Sequence, residues 1–216
     1  MEEDHHLRRV LRAGPGDRLE VVGSGRLYRA ELLEGDLVRV LERLEVAPES
    51  SVVTLYQAVP KGKRMESVVE KAVEMGVSRI VPLLTDRGVV NPGEKGSKNE
   101  RWRRISESAA RQSLQLRIPE VGAPEALATA LNACPEASCL FFHNSPEAEP
   151  LESLTLSSPA AIFIGPEGGW SERELSLARE EGVYIPHLGP SRLRAETAGM
   201  VAVCRVKALL GDYSRI

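Results

Sequence analysis

No stretch of this 216-residue chain approaches the roughly 18 consecutive apolar residues that a membrane helix requires, so a helical membrane protein is excluded. The opening Met1-Glu2-Glu3-Asp4-His5-His6 lacks the basic start and apolar run of a secretory signal, which points to a cytoplasmic protein. Cysteine is scarce. Cys134, Cys139 and Cys204 are odd in number and fit no CxxC or Cys/His metal spacing, so they are read as reduced, unpaired thiols with no metal site. There is no repeat of fixed period. What remains is a composition near the globular average, 42% hydrophobic and 27% charged with 18 Gly and 14 Pro, which leaves out collagen-like, disordered and disulfide-scaffold classes. At about 150 residues per domain, the length allows one or two domains with a real core.

Charge is unevenly spread. Residues 1–60 carry 8 basic and 11 acidic side chains, residues 61–120 carry 13 and 8, and residues 121–216 carry 7 and 12. The middle block alone is basic. Lys61, Lys63 and Arg64 open it, and Arg101, Arg103, Arg104, Arg111 and Arg117 follow where acids are few. Such a cluster can hold phosphates, although a solvated helix face has the same composition.

Turn signals at Gly14-Pro15-Gly16-Asp17, Gly23-Ser24-Gly25, Gly35-Asp36 and Ala47-Pro48 divide the first segment into short strands, as in a small barrel. The rhythm then changes to α/β. Ser51–Val59 is a continuous β-prone run of the kind buried on both faces of a parallel sheet. Met65, Val68, Val69, Ala72 and Val73 form one helical stripe closed by Gly76, and Arg79–Leu84 makes the next strand. A gly- and Asn-rich loop over 87–99 follows, then a helix over 101–113 with Trp102, Ile105 and Ala109 on one side. Strands are predicted at 138–143, 160–164 and 183–185, and helices at 171–181 and 196–210, the first opened by the capping box Ser171-Glu172-Arg173-Glu174.

Two loops collect the candidate chemistry. Gly165-Pro166-Glu167-Gly168-Gly169 leaves the end of a predicted strand, where open α/β sheets bind ligands and glycine lets the main chain approach them. It is neither G-x-G-x-x-G nor a P-loop, because no Gly-Lys-Ser/Thr follows. Leu188-Gly189-Pro190-Ser191-Arg192-Leu193-Arg194 runs into Ala195-Glu196-Thr197-Ala198 at a helix start, bringing a cation, an acid, a hydroxyl and free amides together. A tight turn and a dipole-complementing acid would account for either loop taken alone.

Together these motifs resemble the signature of the RsmE-type family of SPOUT methyltransferases, which methylate N3 of a uridine in 16S ribosomal RNA. Lys63-Arg64-Met65-Glu66 with Glu70–Val77, Glu107–Ser113, and His6 with Arg9–Arg12 and Gly16-Asp17 extend the likeness over most of the chain. The resemblance implies a PUA-like RNA-binding β-barrel over 1–60 and a SPOUT α/β domain with a trefoil knot over 61–216. It implies S-adenosylmethionine held by His143, Asn144, Gly165, Pro166, Glu167, Gly168, Gly169, Leu188, Gly189, Leu193, Thr197 and Ala198.

Arg194 and Glu196 would be catalytic, the arginine stabilising the uracil anion. Glu196 is expected to orient Arg194 rather than to act as base, since a carboxylate beside arginines accepts protons weakly. RNA would lie along Arg9, Arg12, Lys61, Lys63, Arg64, Arg101, Arg104, Arg111 and Gln112, with the target base flipped or single-stranded. A homodimer acting on the small ribosomal subunit is implied, with Met200, Val203 and Val206 as interface as much as core. Rival readings are a SPOUT enzyme acting on ribose 2′-oxygen or another base, and a non-catalytic ribosome-assembly protein. A glycoside hydrolase on Glu167 and Glu196 lacks a defined carboxylate separation.

Overall fold

A computed structural model of the chain describes residues 13–35, 37–45, 51–88, 97–134 and 137–214. Two-residue turns in which both residues have positive φ match the twist of paired strands. Ser24 and Gly25, at φ 50° and 69°, form such a turn between β1 (Arg18–Gly23) and β2 (Arg26–Leu32). β3 (Val38–Leu44) completes a three-stranded antiparallel sheet, with a register shift at Arg29 and Ala30. Ala30 and Leu32 are buried beneath it. Arg9 and Arg12 lie outside the described residues.

β4 (Val53–Ala58) is buried at every position, as an inner strand covered on both faces must be. It leads into α1 (Arg64–Glu74), whose buried residues are Met65, Val68, Val69, Ala72 and Val73, the stripe read from the sequence. Gly76 at φ 77° ends this helix. Its amide bonds Val73 O, and that of Val77 bonds Ala72 O, the Schellman pattern.

The chain continues through β5 (Arg79–Leu84), α2 (Ser97–Gln112), β6 (Glu120–Val121), β7 (Glu125–Ala126), α3 (Leu127–Asn132) and β8 (Ser138–Phe142). It closes with β9 (Glu149–Pro150), β10 (Ala160–Ile164), α4 (Glu172–Glu180), β11 (Pro186–His187) and α5 (Ala195–Leu209).

The main sheet has the order β6-β5-β4-β10-β8 with every pair parallel, and β7 also pairs with β5. Strand alternation sorts its side chains onto two cores. Leu55, Ile80, Ile162 and Ile164 face the helices α1, α2 and α5, whereas Tyr56, Val81, Phe141 and Phe163 face α3 and α4. Tyr56 stacks on Phe163 with ring centroids 4.5 Å apart. Because β5 lies on one side of β4 and β10 on the other, the strand order reverses between β4 and β10. Open parallel sheets bind ligands beyond the carboxyl ends of their strands near such a reversal. Among the described residues no helix is long and apolar enough to cross a membrane.

Several expectations need correction. β4, placed in the 1–60 unit by the sequence division, is an inner strand of the parallel sheet, so the sheet-bearing part of the chain begins by Val53 rather than at 61. Its partners β5 and β10 come later in sequence, which a linear division cannot register. Cys134 and Cys139 are not free thiols; they are joined to each other in a disulfide, while Cys204 is free and exposed. The strand expected over 183–185 is reduced to a bridge between Tyr184 and Leu140, with the pairing of β11 to β9 just beyond it. The helix expected from 101 starts at Ser97. Val203 and Val206 are fully buried within this chain and are core, not interface, whereas Met200 is half-buried.

One charged pair is buried with the apolar face of α5. Lys207 Nζ lies 2.6 Å from Asp212 Oδ2 and donates to Gly76 O at 2.9 Å, with both side chains under 10% exposed, at 5% and 9%. Removing one member of such a pair strands the other charge away from water. Asp212→Ala is therefore expected to lower stability by about 3 kcal/mol in urea unfolding. An unchanged midpoint would contradict the burial of this pair.

Candidate functional site

The carboxyl ends of β8 and β10, the loop before α5 and the turn after β5 enclose a cavity of about 610 Å³. That lies within the ~300–1,000 Å³ typical of small-molecule sites. Its first wall is the glycine loop after β10. Here Gly165 has no substitute: a Cβ on it would come within 2.9 Å of the indole of Trp170, which is buried. The indole is itself held, with Nε1 donating to Phe142 O at 2.9 Å and the ring stacked on Phe141 at 4.1 Å.

The second wall is 188–194. Gly189 turns at φ 114°, and its amide donates to His187 Nδ1 at 3.0 Å, so that nitrogen carries the lone pair. Arg205 Nη1 donates to Leu188 O at 2.9 Å, tying this wall to α5. The third wall is the turn after β5, where Arg87 Nη1 donates to Gly168 O at 3.0 Å. That turn is anchored in its own right. Buried Glu174 accepts the Asp86 amide at 2.8 Å while closing its capping box with Ser171, and Asp86 accepts from Ser171 Oγ at 2.6 Å.

Of the residues assigned to cofactor binding, those of the first glycine loop, Gly165 to Gly169, all line the cavity. So do His143, Asn144, Leu188, Gly189, Leu193 and Ala198. Thr197 does not. Arg194 also lines the cavity. It is the N-cap residue of α5, and its side chain is exposed and makes no hydrogen bond or ion pair with the described residues.

Glu196 behaves otherwise than expected. It is absent from the cavity lining and pairs with Arg64 rather than Arg194, its Oε1 standing 3.5 Å from Arg64 Nε. Its Oε2 is buried with no partner among the described residues. Glu196 lies two positions past the N-cap, where its carboxylate meets Arg64 at the start of α1.

Arg87 was missed by the sequence reading, as were Ser191 and Arg192 within the second loop. Nothing near Arg87 in the sequence announces it, since its partner Gly168 is 81 positions away. Lys61, Lys63, Arg64, Arg101, Arg104, Arg111 and Gln112 are all exposed, but several are engaged. Arg101 contacts Glu66 at 2.8 Å and Arg111 contacts Glu107 at 3.7 Å.

Burial, followed by the positive charge of Arg179, holds His143 below the ordinary histidine value, so it is neutral near pH 7. For Glu167, burial pushes the carboxyl up. Its own amide, the Lys61 amide at 3.1 Å and the Arg64 guanidinium at 3.2 Å outweigh that and hold it below the usual carboxylate range. A depressed carboxylate stabilises the fold fully above its unfolded value and loses that contribution as pH falls through the lower folded one.

A family profile described as the RNA methyltransferase domain matches residues 47–207. With the parallel sheet and the loops at its carboxyl edge, this defines the class, an RNA methyltransferase of the SPOUT-type α/β fold. Ribosomal RNA small subunit methyltransferase E of Synechocystis is 37% identical over 216 residues, covering 95% of this chain and 71% of that protein. The Neisseria gonorrhoeae protein of the same name, solved with S-adenosylmethionine, superposes with a TM-score of 0.85 at 30% identity over 98% of this chain and 91% of that one. Lpg2936 of Legionella pneumophila, also solved with bound S-adenosylmethionine, gives 0.81 at 32% identity over 96% and 89%. The chain belongs to the ribosomal RNA small subunit methyltransferase E family.

Two measurements check the site. Gly165→Ala drives a methyl into a fixed indole and is expected to cost about 2 kcal/mol in urea unfolding, with an unshifted midpoint contradicting the packing. A titration of the Glu167 carboxyl by NMR in uniformly labelled protein is expected to place its midpoint below that of a free glutamate. A midpoint above it would show that burial outweighs the amides and Arg64.

Proposed function

We propose that this chain transfers a methyl group from S-adenosylmethionine to N3 of a uridine in 16S ribosomal RNA. The observation that carries the reading is the cavity itself, formed by both glycine loops with two exposed arginines at its edge, Arg192 and Arg194, neither paired among the described residues. The cofactor fits this donor set. Gly165, Gly168, Gly169 and Gly189 can offer only main-chain groups, Ala195 and Ala198 bring the first turn of α5 to the lining, and Phe142, Ile164 and Leu188 offer apolar surface for a purine. When bound, it supplies an electrophilic methyl group.

The chain's own residues supply the rest. Uracil N3–H is a weak acid, so its loss needs positive charge near O2 and O4, and Arg194 with the N-terminus of α5 provides it. Glu196 is assigned to positioning, since one oxygen is engaged by Arg64 and the other is buried. Lys63 and Arg104, exposed on α1's start and on α2, are assigned to phosphates that set the register of the RNA.

The domain division belongs to the same proposal, with a PUA-like RNA-binding module ending before Val53 and a knotted methyltransferase domain after it. So do a cytoplasmic site of action and a homodimer, to which exposed Leu209 and Tyr213 at the end of α5 lend support.

The experiment is transfer from labelled S-adenosylmethionine to small ribosomal subunits lacking the modification, with mass spectrometry of the nucleosides. The expected product is 3-methyluridine, reduced by about a hundredfold or more in Arg194→Ala. A 2′-O-methylated nucleoside or another methylated base would overturn the N3 assignment.

A further inference from the structure

The loop after β4, the glycine loop after β10 and the first turn of α5 approach one another, and one side chain from the start of α1 pairs with the last two. Arg64 begins α1. Its Nη1 donates to Glu167 Oε1 at 3.2 Å, on the first wall of the cavity, and its Nε lies 3.5 Å from Glu196 Oε1, on the helix that continues the second. Glu167 Oε1 is shared with the Lys61 amide, so the loop after β4 is bound into the same junction.

We propose that Arg64 is a positioning residue of the methyl-transfer site, joining Glu167 to Glu196 and so fixing the two walls of the cavity relative to each other. The proposal rests on the reading that this cavity binds S-adenosylmethionine.

Three features favour this role over that of an RNA contact. First, a guanidinium presents its donors in a rigid fork, so binding two carboxylates from different segments restrains both segments at once. Second, two of its donors, Nη1 and Nε, already face carboxylates, which leaves fewer for a phosphate. Third, Glu196 is only 14% exposed and its Oε2 is buried without a partner among the described residues. Arg64 is its one ion-pair partner among the described residues, and loss of the arginine removes that partner. Arg64 itself does not line the cavity, so its influence passes through the two glutamates.

The test is calorimetric titration of the full chain with S-adenosylhomocysteine, without RNA, for wild type, Arg64→Ala, Arg64→Lys, Glu167→Gln and the double variant Arg64→Ala/Glu167→Gln. Arg64→Ala is expected to weaken binding about tenfold, the order for loss of a charged hydrogen-bond partner. Arg64→Lys should recover only part of this, since an ammonium cannot reproduce the fork. The double variant is expected to be no weaker than the worse single one, because both remove the same junction.

RNA binding is measured separately at several salt concentrations. If Arg64→Ala binds the nucleoside like wild type, or if the two single effects multiply in the double variant, the proposal is overturned. The same holds if Arg64→Ala instead reduces the salt slope of RNA binding by about one, the signature of a lost phosphate contact. Should Arg64→Ala not fold, the comparison of Arg64→Lys with Glu167→Gln decides in its place, and a lysine variant indistinguishable from wild type overturns the proposal. Failure of wild type to bind the nucleoside would remove the underlying reading as well, whereas failure to form 3-methyluridine leaves this test intact.

Discussion

The Trp170 indole, laid against the main chain of Gly165 and pinned by its hydrogen bond to Phe142 O, is the contact on which the site depends. It connects the carboxyl ends of two adjacent parallel strands, β8 and β10, through one rigid ring. The ring also stacks on Phe141, and so belongs to the core between the sheet and the helices α3 and α4. The glycine loop is thereby an extension of packed structure rather than a free surface loop. Any residue larger than glycine at 165 would have to displace an aromatic ring from that core. A site held in this way is preorganised without needing many charged side chains.

Electrostatics completes what packing begins. The positive groups around the cavity are handled differently from one another. Arg87 is engaged by Gly168 O and Arg64 by Glu167 and Glu196, while Arg192 and Arg194 are exposed at the cavity edge and unpaired among the described residues. The pairing of the first two builds the walls, and the other two leave positive charge available to a ligand or to a developing anion. The acidic groups fall into the same scheme. Buried Glu174 satisfies two amides, at Asp86 and Ser171, and so joins the turn after β5 to α4, while Glu167 accepts the Lys61 amide and the Arg64 guanidinium. Neither glutamate is left free to act as a base.

Local rules were enough for much of the architecture. The α1 stripe, the Gly76 cap, the Ser171–Glu174 capping box and the main strands follow from periodicity and end signals, because those depend on neighbours three or four residues apart. The two glycine loops could be read as a ligand site since both leave the ends of predicted elements. Relations across long sequence distances were not readable. The Arg87 contact with Gly168 and the choice of Arg64 over Arg194 as partner of Glu196 are products of strand order. Composition misled in one case: an odd, sparse set of cysteines gave no sign that Cys134 and Cys139 would be brought together between α3 and β8.

The central claim is that the two glycine loops form one nucleoside-binding cavity. A crystal structure of the chain grown with S-adenosylhomocysteine tests it most directly. The account predicts the nucleoside between the Gly165–Gly169 loop and the 188–193 loop, with main-chain groups of both within hydrogen-bonding distance and Arg194 at the opening. Ligand bound elsewhere on the chain, or contacting one loop and not the other, would contradict it.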